Sequence, residues 1–198
     1  MPSDDLGAYE VALLVARALE QLRVAYFLGG SLASSLQGEP RATNDIDLVV
    51  DLPQGKVRAF VEALGDDFDV DEEALSDALR KGRSWNVYYL PLVMKIDLFP
   101  KGAAAFDESE FGRRRPFELA PGKTIFVKSP EDSVLRKLLW YRLGGEVSTQ
   151  QWRDIVEILR VGADRLDRGY LSAWVASLGL DALFQRAEAE AARPLGPK

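Results

Sequence analysis

The sequence predicts an α+β (α/β) fold: a mixed sheet interleaved with helices over residues 1–128, followed by a helical bundle over residues 129–198. Short apolar runs bounded by Gly, Pro, Asn and Asp recur in the first part, in "AYFLGG", "DIDLVVD" and "LVMKIDLF". Stretches with helical apolar spacing lie between them. After Ser129 only helical patterns remain, separated by glycine-containing breaks such as "GGEVS".

The first helix is expected from Gly7 to Val24, where Val11, Leu14, Val15, Ala18 and Leu22 form one apolar side. "AYFLGG" reads as a short strand ending in a glycine turn, with a short helix over Ser31–Gln37 opening directly after it. "DIDLVVD" is the next strand. Pro53 marks a helix start, and Lys56–Leu64 fits that helix. A strand near Phe68 and a helix over Glu72–Arg80 follow. "RSWNVYYL" and "LVMKIDLF" form a hairpin interrupted by Pro91, and "RPFEL" and "TIFVKS" are strands around the turn "APGK". In the second part, Ser129 is placed to cap a helix with Pro130 at its first position and acidic residues in its first turn. Three further helices are expected in "STQQWRDIVEILRVG", "DRGYLSAWVASLG" and "LDALFQRAEAEAA".

Composition narrows the chemistry. At 198 residues and 47% hydrophobic content, the chain is long enough for a sizeable core. It has no cysteine, which removes disulfides and thiolate zinc sites, and no histidine, which removes imidazole bases, Ser-His and Cys-His pairs and His-ligated zinc. Catalysis must then use carboxylates, Lys, Arg, hydroxyls or a bound metal. A net charge of −6 argues against a broad nucleic-acid surface. The charge is uneven, however: "GRRRP" with Lys123, Lys128, Arg136 and Lys137 is basic, whereas "DDFDVDEE" is acidic. "EVALLVARAL" follows an acidic start and has helical periodicity, unlike a secretion signal. No apolar run approaches the roughly 20 residues that span a bilayer, so no membrane partner and a cytoplasmic location are expected.

The most informative stretch is "LGGSLASSLQGEPRATNDIDLVVD". Asp45 and Asp47, two apart on a strand, would face the same side, while Ile46 and Leu48 point into packing. Two carboxylates on one face repel, and a divalent cation relieves that repulsion; with oxygen ligands alone, Mg²⁺ or Mn²⁺ suits them. Solvated carboxylates at a strand start are the simpler alternative. Gly29 and Gly30 let the backbone approach a ligand closely, and the helix after them presents free N–H groups to an anion, with the Ser31 hydroxyl beside them. An ordinary turn with an N-cap is the alternative there. Asp97, between Ile96 and Leu98, is a third carboxylate in an apolar strand. If its strand lies beside "DIDL", the three acids converge as a two-metal site for phosphoryl chemistry requires, with Asp97 at or near the general base.

Gly30-Ser31, the intervening Leu32–Asn44, "DIDL" and a later strand Asp97 together resemble the signature of the polymerase-β-like nucleotidyltransferase superfamily. "RATNDIDL" looks more specifically like the bacterial AbiEii and MenT-like nucleotidyltransferases, toxins of toxin–antitoxin type. The resemblance implies the nucleotidyltransferase fold, an NTP substrate with Mg²⁺ or Mn²⁺, and transfer of a nucleoside monophosphate to a hydroxyl with release of pyrophosphate. It implies metal and catalytic roles for Asp45, Asp47 and Asp97, and phosphate-binding roles for Gly29, Gly30, Ser31, Arg41 and Thr43. "LRKLLWYR" and "QQWRDIVEIL" are similar to paired helices of that group, which implies that Lys137 contacts the phosphates and Asp154 orients it. The implied acceptor is a tRNA 3′ end and the implied partner a cognate antitoxin. A protein hydroxyl or a small molecule such as an aminoglycoside remains open as acceptor. The rival reading is a non-catalytic interaction protein, an antitoxin or regulatory partner keeping the fold. Arg113–Arg115 reads as a solvated charge run, and Tyr88, Tyr89, Trp140, Tyr141 and Trp152 as core aromatics rather than base-stacking platforms.

Overall fold

The computed structural model of the protein describes residues 3–40, 43 and 45–193. The chain divides into two compact units: residues 1–33 with 41–128, and residues 34–40 with 129–198.

The first unit is built on a seven-stranded mixed sheet. Its strands are β1 (Tyr26–Leu28), β2 (Ile46–Val50), β3 (Phe68–Asp69), β4 (Trp85–Tyr89), β5 (Met94–Pro100), β6 (Arg115–Ala120) and β7 (Lys123–Val127). They lie in the order β3-β4-β5-β2-β1-β7-β6. β2 pairs parallel with β5 and β1 parallel with β7, while β1–β2, β3–β4, β4–β5 and β6–β7 are antiparallel. Helix α1 (Ser3–Gln21) precedes β1, and α2 (Gly30–Gln37), α3 (Val57–Leu64), α4 (Glu72–Arg80) and α5 (Ala105–Gly112) lie in the connections between strands. A single 3-10 turn, Gln54–Lys56, leads into α3, and another, Leu90–Leu92, forms the β4–β5 corner at Pro91.

Strand periodicity sorts the sheet into two different faces. Ile46, Leu48 and Val50 of β2, Ile96 and Leu98 of β5, Val87 of β4 and Leu28 of β1 are buried, and the register places them on one side. Helix α1 packs on this side: Tyr26, the register partner of Val50, donates its hydroxyl to Glu20 of α1 at 2.6 Å. Burial, reinforced by that carboxylate, pushes the Tyr26 phenol well above its ordinary range. The opposite side carries Phe27, Val49, Asp47, Asp97 and Phe99, and α5 lies against it, with the Phe111 ring 5.7 Å from that of Phe27.

The second unit contains α6 (Pro130–Leu143), α7 (Thr149–Val161), α8 (Arg168–Leu178) and α9 (Asp181–Ala191). Ser129 caps α6 by accepting the Asp132 N–H at 3.1 Å. Polar contacts hold the helices at their ends. Tyr170 of α8 donates to the buried Asp132 at 2.6 Å, Trp152 of α7 donates to Glu190 of α9 at 2.8 Å, and Arg142 donates to the Leu178 and Gly179 carbonyls that end α8. Gly38 lies against the Glu157–Ile158 backbone of α7, where a Cβ would stand 3.2 Å from the Ile158 nitrogen.

The expected elements are present, with three differences. Helix α1 runs from Ser3 to Gln21 and stops short of the expected Val24, and Leu14, expected on its apolar side, is exposed. Helix α5 has no counterpart among them: "AAAFDESEF" offers only Phe106 and Phe111 as buried apolar anchors, and its N-terminus is held by Asp107 accepting the Ala104 N–H at 3.1 Å. Asp45 stands just before β2 rather than within it, because the ladder to β5 begins at Ile46↔Ile96. Among the described residues, no helix is long and apolar enough to cross a membrane.

Candidate active site

The carboxylates occupy neighbouring central strands. Asp47 of β2 and Asp97 of β5 are register partners in the parallel ladder, so their side chains emerge side by side on the α5 face. Both are partly buried, flanked along each strand by fully buried Ile46, Leu48, Ile96 and Leu98. That flanking packing fixes the register, since a one-residue slip would turn the apolar set toward the acids' face. Asp45 is exposed, and its N–H donates to the Thr43 hydroxyl at 3.3 Å. Arg41 lies outside the described residues.

The glycine turn adjoins Asp47 directly. The Gly29 N–H donates to the Asp47 carbonyl at 2.8 Å, extending the β1–β2 ladder by one residue. Gly30 then turns into α2 with φ +55°, a left-handed conformation that glycine adopts without penalty. A Cβ at Gly30 would stand 1.7 Å from Asp47 Oδ2 and 2.5 Å from its carboxyl carbon. The Asp47 carboxylate therefore lies against the bare backbone that opens α2, beside half-buried Ser31. Gly30→Ala is expected to lose about 1–2 kcal/mol from the left-handed backbone alone and to push the Asp47 carboxylate out of line with Asp97. Thermal melting measures the first effect, and Mn²⁺ affinity the second.

Two lysines complete the electrostatics, and sequence reasoning marks neither as a site residue. Lys95, two residues before Asp97 and so on the same face, places Nζ 2.8 Å from Asp97 Oδ2. The hydrogen bond to Asp97 raises the Lys95 ammonium above its ordinary range, and the charges of Asp97, Asp45 and Asp47 add to it against some burial. Lys128, at the end of β7, is buried and pairs with buried Glu110 of α5 at 3.3 Å. Its ammonium lies 5.8 Å from the Phe27 ring centre, and its Cε would be 3.8 Å from a Cβ on Gly29. The i, i−2 spacing in "MKID" is the available signal for Lys95; nothing local in the sequence marks Lys128.

In the helical unit, Lys137 of α6 donates to Asp154 of α7 at 2.8 Å, and both side chains are buried. Tyr141 and Trp152 stack at 5.1 Å under the Arg186 guanidinium, which lies 4.0 Å from the Trp152 ring centre. Trp140 is exposed. Arg114 is not simply solvated: it packs 4.6 Å from the Phe111 ring centre and donates to the Phe111 carbonyl at 2.6 Å.

Among the described residues, no three His, Cys, Asp or Glu side chains are gathered to hold a metal ion as they stand. The cation seated at Asp97 is the Lys95 ammonium. The donor chemistry nonetheless fits Mg²⁺ or Mn²⁺: oxygen carboxylates side by side on rigid strands, a backbone cleared of side chain at Gly30, and no soft ligand.

No protein-family model matches the chain, and no curated protein matches it. Solved structures do. The antibiotic-resistance factor ANT(2'')-Ia aligns with a TM-score of 0.54 and 16% identity, over 92% of this chain and 96% of its own. The same factor in complex with adenylyl-2''-tobramycin aligns with a TM-score of 0.52 and 16% identity, over 88% and 98%. An antigenic nucleotidyltransferase-like protein from Paracoccidioides brasiliensis aligns with a TM-score of 0.56 and 18% identity, over 95% and 94%. Spanning both the sheet and the helices, these alignments show that the chain has the mixed α+β fold of nucleotidyltransferases.

Proposed function

We propose that the protein is a metal-dependent nucleotidyltransferase that moves a nucleoside monophosphate from an NTP to a hydroxyl acceptor. The observation that carries this reading is the pairing of Asp47 with Asp97 across the parallel β2–β5 ladder, next to the Gly29–Gly30 turn. Fold alone does not assign chemistry; this juxtaposition of acids and an anion-ready turn supports it.

Asp45, Asp47 and Asp97 would hold Mg²⁺ or Mn²⁺, which when bound neutralises phosphate charge and acidifies the attacking hydroxyl. The triphosphate would lie on the backbone at the N-terminus of α2, which the absence of a side chain at Gly29 and Gly30 lets it approach, with Ser31 adding its hydroxyl. Thr43 steadies the backbone at Asp45, and Arg41 is assigned to the triphosphate on the sequence resemblance. Asp97 accepts the proton of the acceptor hydroxyl as its oxygen bonds to the α-phosphorus. The bond from the α-phosphorus to the bridging oxygen breaks, and pyrophosphate leaves. Lys137, oriented by Asp154, is assigned to the phosphates on the sequence resemblance.

Two acceptors are supported by different observations. "RATNDIDL" supports a tRNA 3′ end, and with it a toxin role held in check by an antitoxin. The likeness to ANT(2'')-Ia, seen with adenylyl-2''-tobramycin, supports a small polyol hydroxyl. The test is incubation of purified protein with each α-³²P-NTP, Mg²⁺ and either total tRNA or an aminoglycoside panel. Label on RNA or on an aminoglycoside is the expected result and names the acceptor. No label with any NTP, and no NTP-dependent rise in melting temperature, returns the protein to the class of non-catalytic interaction partners.

A further inference from the structure

We propose that Lys95 is a resident cation that must be expelled before a divalent metal can bind, and that nucleotide phosphates receive it, so that metal and nucleotide bind cooperatively. This rests on the metal-dependent reading of the Asp47–Asp97 site. Lys95 Nζ lies 2.8 Å from Asp97 Oδ2, on the carboxylate that would hold a metal together with its register partner Asp47. Asp97 is 15% exposed and Lys95 40%, so the carboxylate is held in place while the lysine head can leave along its flexible stem. The ammonium is paired with Asp97, whose register partner Asp47 lies on the same face of the sheet. A single positive charge thus already offsets the repulsion that a divalent ion would relieve.

A cation entering against that ammonium meets both a filled ligand position and like charge. When a triphosphate sits on the Gly29–Gly30 turn, which adjoins Asp47, it offers Lys95 a new anionic partner and removes the penalty. By linkage, metal then strengthens nucleotide binding by the factor that nucleotide strengthens metal binding. The free protein would hold metal weakly and avoid presenting an activated site without its donor nucleotide.

The test is Mn²⁺ binding to the full chain, read as free Mn²⁺ by electron paramagnetic resonance, on wild type, Lys95→Gln, Lys95→Arg and Asp97→Asn. Without nucleotide, Lys95→Gln is expected to bind Mn²⁺ about tenfold more tightly than wild type, and Lys95→Arg to stay close to wild type. With an ATP analogue carrying a non-hydrolysable α,β bridge, calorimetry at fixed Mn²⁺ should show cooperativity that shrinks in Lys95→Gln. Equal or weaker Mn²⁺ binding by Lys95→Gln, with wild type binding normally and losing it on Asp97→Asn, overturns the role of Lys95 and leaves the metal site standing. Absence of Mn²⁺ binding in every variant, Lys95→Gln included, overturns the metal site and this inference together.

Discussion

Asp47→Asn and Asp97→Asn are each expected to lower nucleotide transfer by at least about a thousandfold while leaving the melting temperature within a few degrees of wild type. Both substitutions keep the shape of the side chain, and the strand register is held by buried Ile46, Leu48, Ile96 and Leu98 rather than by the acids. Each replaces an ionised carboxylate with a neutral amide, which would bind a hard divalent ion poorly, and at Asp97 could not take up the acceptor's proton as the proposed mechanism requires. Asp97→Asn also ends the ion pair with Lys95, a partly exposed contact whose loss costs little stability. Transfer of label from α-³²P-NTP, alongside thermal melting, separates the two effects. Near-normal transfer by either purified variant would remove that carboxylate from the mechanism.

Asp154→Ala is expected to destabilise the helical unit by about 3–5 kcal/mol, because it takes from the buried Lys137 ammonium the carboxylate that it pairs with. In a chain of this size that is a fall of about 10 °C or more in melting temperature. Trp140, Trp152 and Trp174 lie in this unit and Trp85 in the sheet unit, so urea denaturation followed by tryptophan fluorescence reports chiefly on the helices. The double variant Lys137→Met/Asp154→Leu should recover most of the loss, since an apolar pair of similar volume carries no desolvation penalty. If the double variant restores stability but not transfer, the Lys137–Asp154 pair is needed for function and not merely for packing.

The fold is legible in the sequence where local signals agree with tertiary ones. β5 can be read because Ile96 and Leu98 alternate with Lys95 and Asp97 in a short apolar run, and α6 because Ser129, Pro130 and Glu131 mark its start. Helix α5 cannot, because two phenylalanines in nine residues of "AAAFDESEF" give no stripe, and their burial depends on a sheet face assembled from distant strands. The strand carrying Asp47 is readable, but its pattern also takes in Asp45, although the ladder starts one residue later. A strand's first paired residue is set by its partner, here Ile96, which no local pattern encodes. Lys95 shows the same limit for the site. Its spacing from Asp97 is in plain view, but its significance depends on Asp45 and Asp47 being near enough to attract it. Lys128 is further from reach, as its position beside Gly29 follows from β7 pairing parallel with β1 at Leu28↔Val127.

Helix α2 has a consequence for the order of assembly during synthesis. Its first residues belong to the sheet unit, but from Ser34 to Pro40 the chain belongs with the helices that begin at Ser129. The strands of the sheet are all available once Val127 has been made. Ser34 and Ser35, and Gly38 against the α7 backbone, must wait for residues roughly a hundred positions downstream. A ribosome-bound intermediate would then hold Asp47 and Asp97 already in register while the helix that follows Gly30 is still unanchored at its far end. Maturation of the Gly29–Gly30 turn is thereby tied to synthesis of the helices beyond Ser129.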